Sequence, residues 1–360
     1  SNNILNGGAG IDTITFENAI AGVNVNLAIT TVQNTGNDGQ DIITNFENLI
    51  GTNFADTLLG DTNTNIINGL SGNDVIDGNT GNDTLSGGSG NNILNGNDGI
   101  DTISYAFVTK YSDDFLFANG AAIDPATGVQ YANDARGVIV DLQGGFATGK
   151  TVYDTTSDVT TGEETRTISD TLSNIEYVIG SKYNDTIRGD ASANKLSGGE
   201  GNDTLEGRGG ADWLDGGAGN DWLIGSTDDY MIDGGDNTDT IDFSNNSNGI
   251  SITLNNSANG SLGNIGSSSS TTIVKNVENV AGTQYKDIIN GDASDNLLIG
   301  GYNHSATSTT PNDDTITGGA GADTIVGDMM IDSSTPSALY GGDDILSGGS
   351  ENDKIYGDAA

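Results

Sequence analysis

A single large aliphatic residue returns every nine positions along most of this chain, and little that is apolar lies between. The spacing holds unbroken from Gly51 to Ser104 and from Gly180 to Asp242, and it resumes from Gly282 to the end with inserts. In 21 units that can be aligned, this position is always Ile or Leu: Ile14, Ile43, Leu58, Ile67, Ile76, Leu85, Leu94, Ile103, Ile187, Leu196, Leu205, Leu214, Leu223, Ile232, Ile241, Ile289, Leu298, Ile316, Ile325, Leu346 and Ile355. Each unit predicts a short strand with one inward side chain, followed by a six-residue turn. Two units complete one coil of a flattened solenoid, so residues 18 apart stack. No helical periodicity of useful length is present. The expected fold is therefore all-β, a tandem parallel β-roll or β-helix solenoid interrupted by β-strand spacer segments.

Such a core is thin. One buried Leu or Ile contributes about 1.5–3 kcal/mol, whereas ordering nine residues costs roughly 1–2 kcal/mol each. The turns must be held by something else. Their complete form is Gly-Gly-x-Gly-x-Asp, as in Gly7–Thr15, Gly198–Glu206, Gly216–Ile224 and Gly318–Val326. The sixth position is Asp in 16 units: Asp12, Asp41, Asp56, Asp74, Asp83, Asp101, Asp185, Asp203, Asp212, Asp221, Asp239, Asp287, Asp314, Asp323, Asp344 and Asp353. Stacking sets these carboxylates about 4.8 Å apart, where they repel unless a cation lies between them. Glycines ahead of each Asp permit positive φ and let backbone carbonyls turn inward. A cage of about six oxygens selects a hard cation and suits Ca²⁺ better than Mg²⁺.

Composition sharpens this picture. The chain of 360 residues has 55 Gly, no Cys and one His, and acidic residues outnumber basic ones 51 to 11, for a net charge of −40. Thiolate sites, disulfides and a His-based zinc motif are excluded. The charge argues against nucleic acid as a partner, and roughly 20 divalent ions would neutralise it. No apolar run predicts a membrane span or an N-terminal secretory signal.

The glycines, Asp and aliphatic residue recurring together in register resemble the RTX (repeat-in-toxin, hemolysin-type) family over somewhat more than half the chain. That resemblance implies a parallel β-roll with Ca²⁺ held between turns of successive coils, and type I secretion of an unfolded chain. Carried onto these residues, it pairs Asp83 with Asp101, Asp203 with Asp221, and Asp56 with Asp74. The implied backbone ligands are Gly69, Gly72, Gly78, Gly81, Gly198, Gly201, Gly216, Gly219, Gly318 and Gly321. The pattern fails at Asn65, Asn92, Asn194, Asn296 and Tyr230, where no ion is expected. Three of those Asn units carry Asp at position two: Asp61, Asp190 and Asp292. Either these Asp residues face the ion column and restore the lost charge, or they simply favour a turn.

A longer repeat is superimposed three times. It opens with Asp-Thr-Ile and an aromatic (Phe16, Tyr105, Phe243), continues with an alternating strand from Gly22, Gly137 and Gly249, then an acidic strand from Asn45, Asn174 and Asn276. Each copy returns to the nonads through a unit with Phe54, Tyr183 or Tyr285 in place of the fourth glycine. These aromatics read as lids over the end of a roll, or as ligand contacts. The spacers predict small β-sandwich-like or widened solenoid sections. The expected division is 1–104, a first long repeat with its β-roll; 105–179, a variable β spacer; 180–242, a second roll; 243–281, a spacer; and 282–360, a third roll with loop inserts. The spacer from Tyr105 to Ile179 holds Lys110, Arg136, Lys150 and Arg166, and is where a carbohydrate or protein contact would lie.

Catalytic signals are missing: no Gly-x-Ser-x-Gly elbow occurs, and His304 beside Ser305 reads as a loop residue. The expectation is a non-catalytic, secreted, calcium-binding scaffold at the cell surface (a surface layer, filament or adhesin stalk) that folds on binding calcium outside the cell. The alternative is the calcium-dependent folding and secretion module of an exoenzyme such as a protease, lipase or alginate epimerase. Ser1–Asp12 nearly duplicates Gly90–Asp101, so the chain begins and ends inside a roll. That pattern suggests either a segment of a longer protein or self-association end to end or in a lattice, with surface polysaccharide or cell envelope as a further possible partner.

Overall fold

The computed structural model describes residues 2–36, 39–106, 116–118, 121–123, 137–153, 164–226, 228–255, 261–265, 271–303, 312–330 and 343–359. They are all strand and turn, with no helix among the described residues and hence none long and apolar enough to cross a membrane. The chain divides into two units, Ser1–Ile187 and Arg188–Ala360. His304 and the bodies of both C-terminal inserts lie outside the described residues, as do Lys110, Arg136 and the side chains of Lys150 and Arg166.

Each nonad forms a three-residue strand because only one of its side chains has an interior to enter. In the first unit Ile66–Asn68, Thr84–Ser86 and Thr102–Ser104 pair in parallel on one side of the roll. Thr57–Leu59, Val75–Asp77 and Ile93–Asn95 do so on the other. The register is the 18-residue shift, placing Leu85 over Ile67 and Leu94 over Ile76. The second unit repeats the arrangement, with Leu214 over Leu196 and Leu223 over Leu205. Beyond the inserts the shift lengthens, yet Ile289, Ile316 and Leu346 remain in one row. The inserts therefore leave the aliphatic column intact.

The column is almost wholly dry: Leu58, Ile67, Ile76, Leu85, Leu94, Leu205 and Leu223 are each 0% exposed. Burial weakens at the last coil, where Leu346 is half-buried and Ile355 is exposed. Phe16, Tyr105 and Phe243 widen the same core. A β-carbon at Gly225 would strike the Phe243 ring, so glycine is needed there to admit it.

The spacers continue the roll, as widened solenoid sections. Val25 pairs with Leu58, and Ile252 with Ile289, so two of the alternating strands lie flat on the coil that follows. Their inward residues Val23, Val25, Leu27, Ile250, Ile252 and Leu254 are buried. The acidic strands stack on the coil before: Asn48–Ile50 pairs with Thr13–Thr15, Tyr177–Ile179 with Thr102–Ser104, and Asn279–Ala281 with Thr240–Asp242. Between these, the chain makes antiparallel excursions, Val138–Asp141 with Phe146–Tyr153 and Ser261–Ile265 with Thr271–Lys275.

Candidate metal centre in the turns

Stacking brings the predicted aspartates into ladders. In each pair the δ1 oxygen of one Asp accepts the backbone N–H of the position-six residue one coil earlier. Asp83 N–H donates to Asp101 at 2.8 Å, Asp203 N–H to Asp221 at 2.8 Å, and Asp56 N–H to Asp74 at 2.9 Å. The ladder continues through Asp239, Asp314, Asp323, Asp344 and Asp353. Where a roll meets an acidic strand, Glu47, Glu176 and Glu278 replace the Asp and accept from Asp12, Asp101 and Asp239.

The second carboxylate oxygen separates two kinds of turn. In Asp12, Asp74, Asp83, Asp101, Asp212, Asp221, Asp239, Asp314 and Asp323 the δ2 oxygen is buried and no donor reaches it. A buried charge without a partner is expensive, and burial raises five of them: Asp83 and Asp212 to about 6, Asp74 and Asp239 to about 7, and Asp314 to about 9. For Asp314, its neighbours Asp287, Asp328 and Asp344 push further in the same direction. All of these turns except that of Asp314 have a common backbone. At position two Gly8, Leu70, Asn79, Asn97, Arg208, Gly217, Gly235 and Gly319 have φ between 68° and 112°. At position four Gly10, Gly72, Gly81, Gly99, Gly210, Gly219 and Gly321 have φ between 113° and 155°, and Asn237 has 91°. Gly201 and Asp203 share this geometry.

We call these turns open. In them a β-carbon on Gly69 would collide with Asp74 Oδ2 and lie 2.9 Å from the Gly87 carbonyl oxygen. Gly78, Gly198 and Gly216 stand likewise against Asp83, Asp203 and Asp221, each beside the carbonyl of a position-one glycine one coil on. Gly318 stands in the same way against Asp323. Carbonyl and carboxylate oxygens thus gather at these turns. The Gly72, Gly81 and Gly201 carbonyls turn toward the position-four glycine of the next coil. Among the described residues no three carboxylate or imidazole side chains converge, so an ion would draw on one or two Asp residues plus backbone carbonyls. Hard oxygen donors in a flexible loop are the set that Ca²⁺ favours.

The other turns are closed by their own atoms. Asp56 Oδ2 accepts Thr52 N–H at 2.6 Å and its Oδ1 accepts the Thr52 hydroxyl at 2.9 Å. Asp185 receives both donors from Ser181, and Asp287 both from Thr283. Position two keeps an ordinary negative φ here, and its side-chain oxygen accepts the position-four N–H: Phe54 to Thr52, Tyr183 to Ser181, Tyr285 to Thr283. Asp41 is also satisfied, by Asn3 and by the Thr35 hydroxyl.

Three of the four Asn units are closed as well. Asn65, Asn194 and Asn296 accept the N–H groups of Asp61, Asp190 and Asp292 through their side-chain oxygens. The three Asp carboxylates in turn accept the N–H of Asn63, Ser192 and Ser294, each two residues on. The local-turn reading accounts for their position. Hydrogen-bond donors are supplied instead by the neutral amide nitrogens, with Asn65 and Asn296 donating to the Glu47 and Glu278 carbonyls.

Four buried carboxylates lie outside the nonad's sixth position: Asp170, Asp229, Asp242 and Asp328. Asp229 takes the inward place of exposed Tyr230 and closes on Ser226, as Asp56 does on Thr52. The Ser-x-x-Asp spacing, one residue short, was its signal. Asp170, inside the spacer, accepts Asn92 N–H and Nδ2 and the Tyr105 hydroxyl; no regular spacing marks it. Asp328, fully buried, accepts Asn312 Nδ2. Of the aromatics at the re-entry units, Phe54 and Tyr183 are 45% and 37% exposed.

No curated protein matches the chain. The model of the RTX calcium-binding nonapeptide repeat matches residues 1–15, 46–76, 68–103, 171–205, 197–232, 206–241, 215–248, 277–302, 308–329 and 340–360. These segments cover more than half the sequence and contain every open turn described above. With the parallel coils, the 18-residue register and the oxygen-lined turns, they make the chain a member of the RTX calcium-binding repeat family.

Proposed function

We propose that this chain is a non-catalytic extracellular scaffold, acting at the cell surface, whose rolls become rigid on binding calcium. The observation that carries the reading is the set of buried, donorless δ2 oxygens stacked along the open turns. In low calcium these carboxylates repel and the chain stays extended, ready for export. Outside the cell, millimolar calcium fills the cages, and the binding free energy becomes folding free energy.

A scaffold is favoured over an enzyme accessory because the long repeat, spacer included, is given over to building coils three times in succession. Among the described residues, the alternating and acidic strands serve as layers of the roll. Electron microscopy of the native material in millimolar calcium tests this reading: a lattice or fibre supports it, and a dispersed particle attached to a catalytic domain favours the secretion-module alternative. Assembly through the ends or through surface polysaccharide belongs to the same proposal.

A further inference from the structure

Asp41 and Asp229 close singly, but the other closed turns are distributed in a regular way. They come in consecutive pairs at Thr52–Asp56 with Asp61–Asn65, at Ser181–Asp185 with Asp190–Asn194, and at Thr283–Asp287 with Asp292–Asn296. Each pair directly follows an acidic strand and directly precedes open turns. Each is also tied to its alternating spacer strand by one buried bond. Val23 N–H donates to Asp56 at 2.8 Å, Val138 N–H to Asp185 at 2.6 Å, and Ile250 N–H to Asp287 at 2.7 Å.

Metal and closure compete for the same lone pair. In an open turn the left-handed position two points its N–H away, as Leu70 does in donating to Asn68 and Asn79 in donating to Asp77. In a closed turn that N–H sits on the oxygen a cation would need, and an ion there would face a donor hydrogen. Left-handed φ at position four, supplied by Gly or Asn237 in open turns, is lost where Phe54, Asn63, Tyr183, Ser192, Tyr285 or Ser294 stands. Residues two and four of the turn therefore decide whether it takes metal.

We propose that the closed turns take no calcium, and that the three pairs with their bound spacer strands are calcium-independent nuclei on which the calcium-dependent coils grow. Withdrawal of calcium then melts the open coils down to these nuclei, and its return rebuilds each roll from a fixed starting layer. The proposal rests on the calcium-scaffold reading above. Hydrogen-exchange mass spectrometry on the full chain, with calcium at about 100 times its Kd and then with EGTA, tests it. Protection should fall by about 100-fold at open turns such as 69–86 and 198–221. It should persist at 51–68, 180–197 and 282–299; equal loss in both sets overturns the proposal. Thr52→Gly with Phe54→Gly should raise the calcium count measured by titration calorimetry and make segment 51–68 calcium-dependent, and an unchanged count with unchanged protection overturns it. Gly199→Thr with Gly201→Ser should lower the count and make its turn insensitive to EGTA. A chain that binds no calcium at all instead defeats the scaffold reading itself.

Discussion

Residues 51–68 and 69–86 are neighbouring coils of equal length with the same parallel register and the same aliphatic pair inside. They differ in what occupies the sixth side chain. In the first coil Asp56 and Asn65 have donors from Thr52 and Asp61, whereas in the second Asp74 and Asp83 each keep a buried oxygen with none. Since the cores match, the hydrophobic contribution cannot distinguish them. Stability that depends on conditions resides in the turns, and in this protein it is a property of single residues at positions two, four and six.

Removing calcium should break the comparison most severely. Each ion at about 100 times its Kd contributes about 2.7 kcal/mol, more than the aliphatic residue of a nonad at the lower end of its range. Chelation by EGTA should therefore take most of the far-UV circular dichroism from β-structure to coil. A spectrum unchanged by chelation would mean that the open carboxylates tolerate one another without metal.

Acid should restore part of what chelation removes. In the folded state without calcium, burial holds Asp83 at about 6, Asp74 and Asp239 at about 7 and Asp314 at about 9, all above the ordinary 3.8. A raised value means that folding takes up protons, so this stability is complete below about pH 4 and lost as pH rises through 6 to 9. In EGTA, β-structure should be greatest near pH 4 and decline toward pH 8. With calcium saturating, neutral pH should be the more stable condition, because protons then compete with the metal.

The strands, their stacking and the inward residue of each unit were legible because a nine-residue period allows only one side chain per unit to reach an interior. Position six was legible for the same reason. What the sequence obscured was backbone state. Thr52, Ser181 and Thr283 at position two, with Phe54, Tyr183 and Tyr285 at position four, are visible signs of a turn without left-handed φ, but the aromatics drew attention to their size. Asp61, Asp190 and Asp292 are conspicuous for charge, and their carboxylates accept local N–H bonds from Asn63, Ser192 and Ser294. Asp229 was hidden by a one-residue slip past Tyr230, and Asp170 by lying in a spacer with no period.

A single charge in an open turn sharpens the contrast next. Asp83→Asn keeps an oxygen for the Asn65 N–H but removes the charge. With calcium present, an ion loses one partner, at a cost of about 3 kcal/mol. In EGTA the sign should reverse, since the variant relieves a buried carboxylate that lacks a counter-ion. Urea melts in the two conditions would expose this inversion, and destabilisation of equal size in both would place Asp83 outside the metal cage.

The smallest effect belongs to the closed coil, and its interest is its indifference to calcium. Thr283→Val removes the hydroxyl that donates to Asp287 and accepts from the Tyr285 N–H, while the Thr283 N–H still reaches the second carboxylate oxygen. Losing one hydrogen-bonding hydroxyl costs about 1 kcal/mol, and nothing in that turn refers to a cation. Segment 282–299 should therefore lose the same small increment of exchange protection with calcium and with EGTA. A loss confined to the calcium state would place an ion in the turn that Thr283 closes, and the distinction between the two coils would fail at the residue on which it most depends.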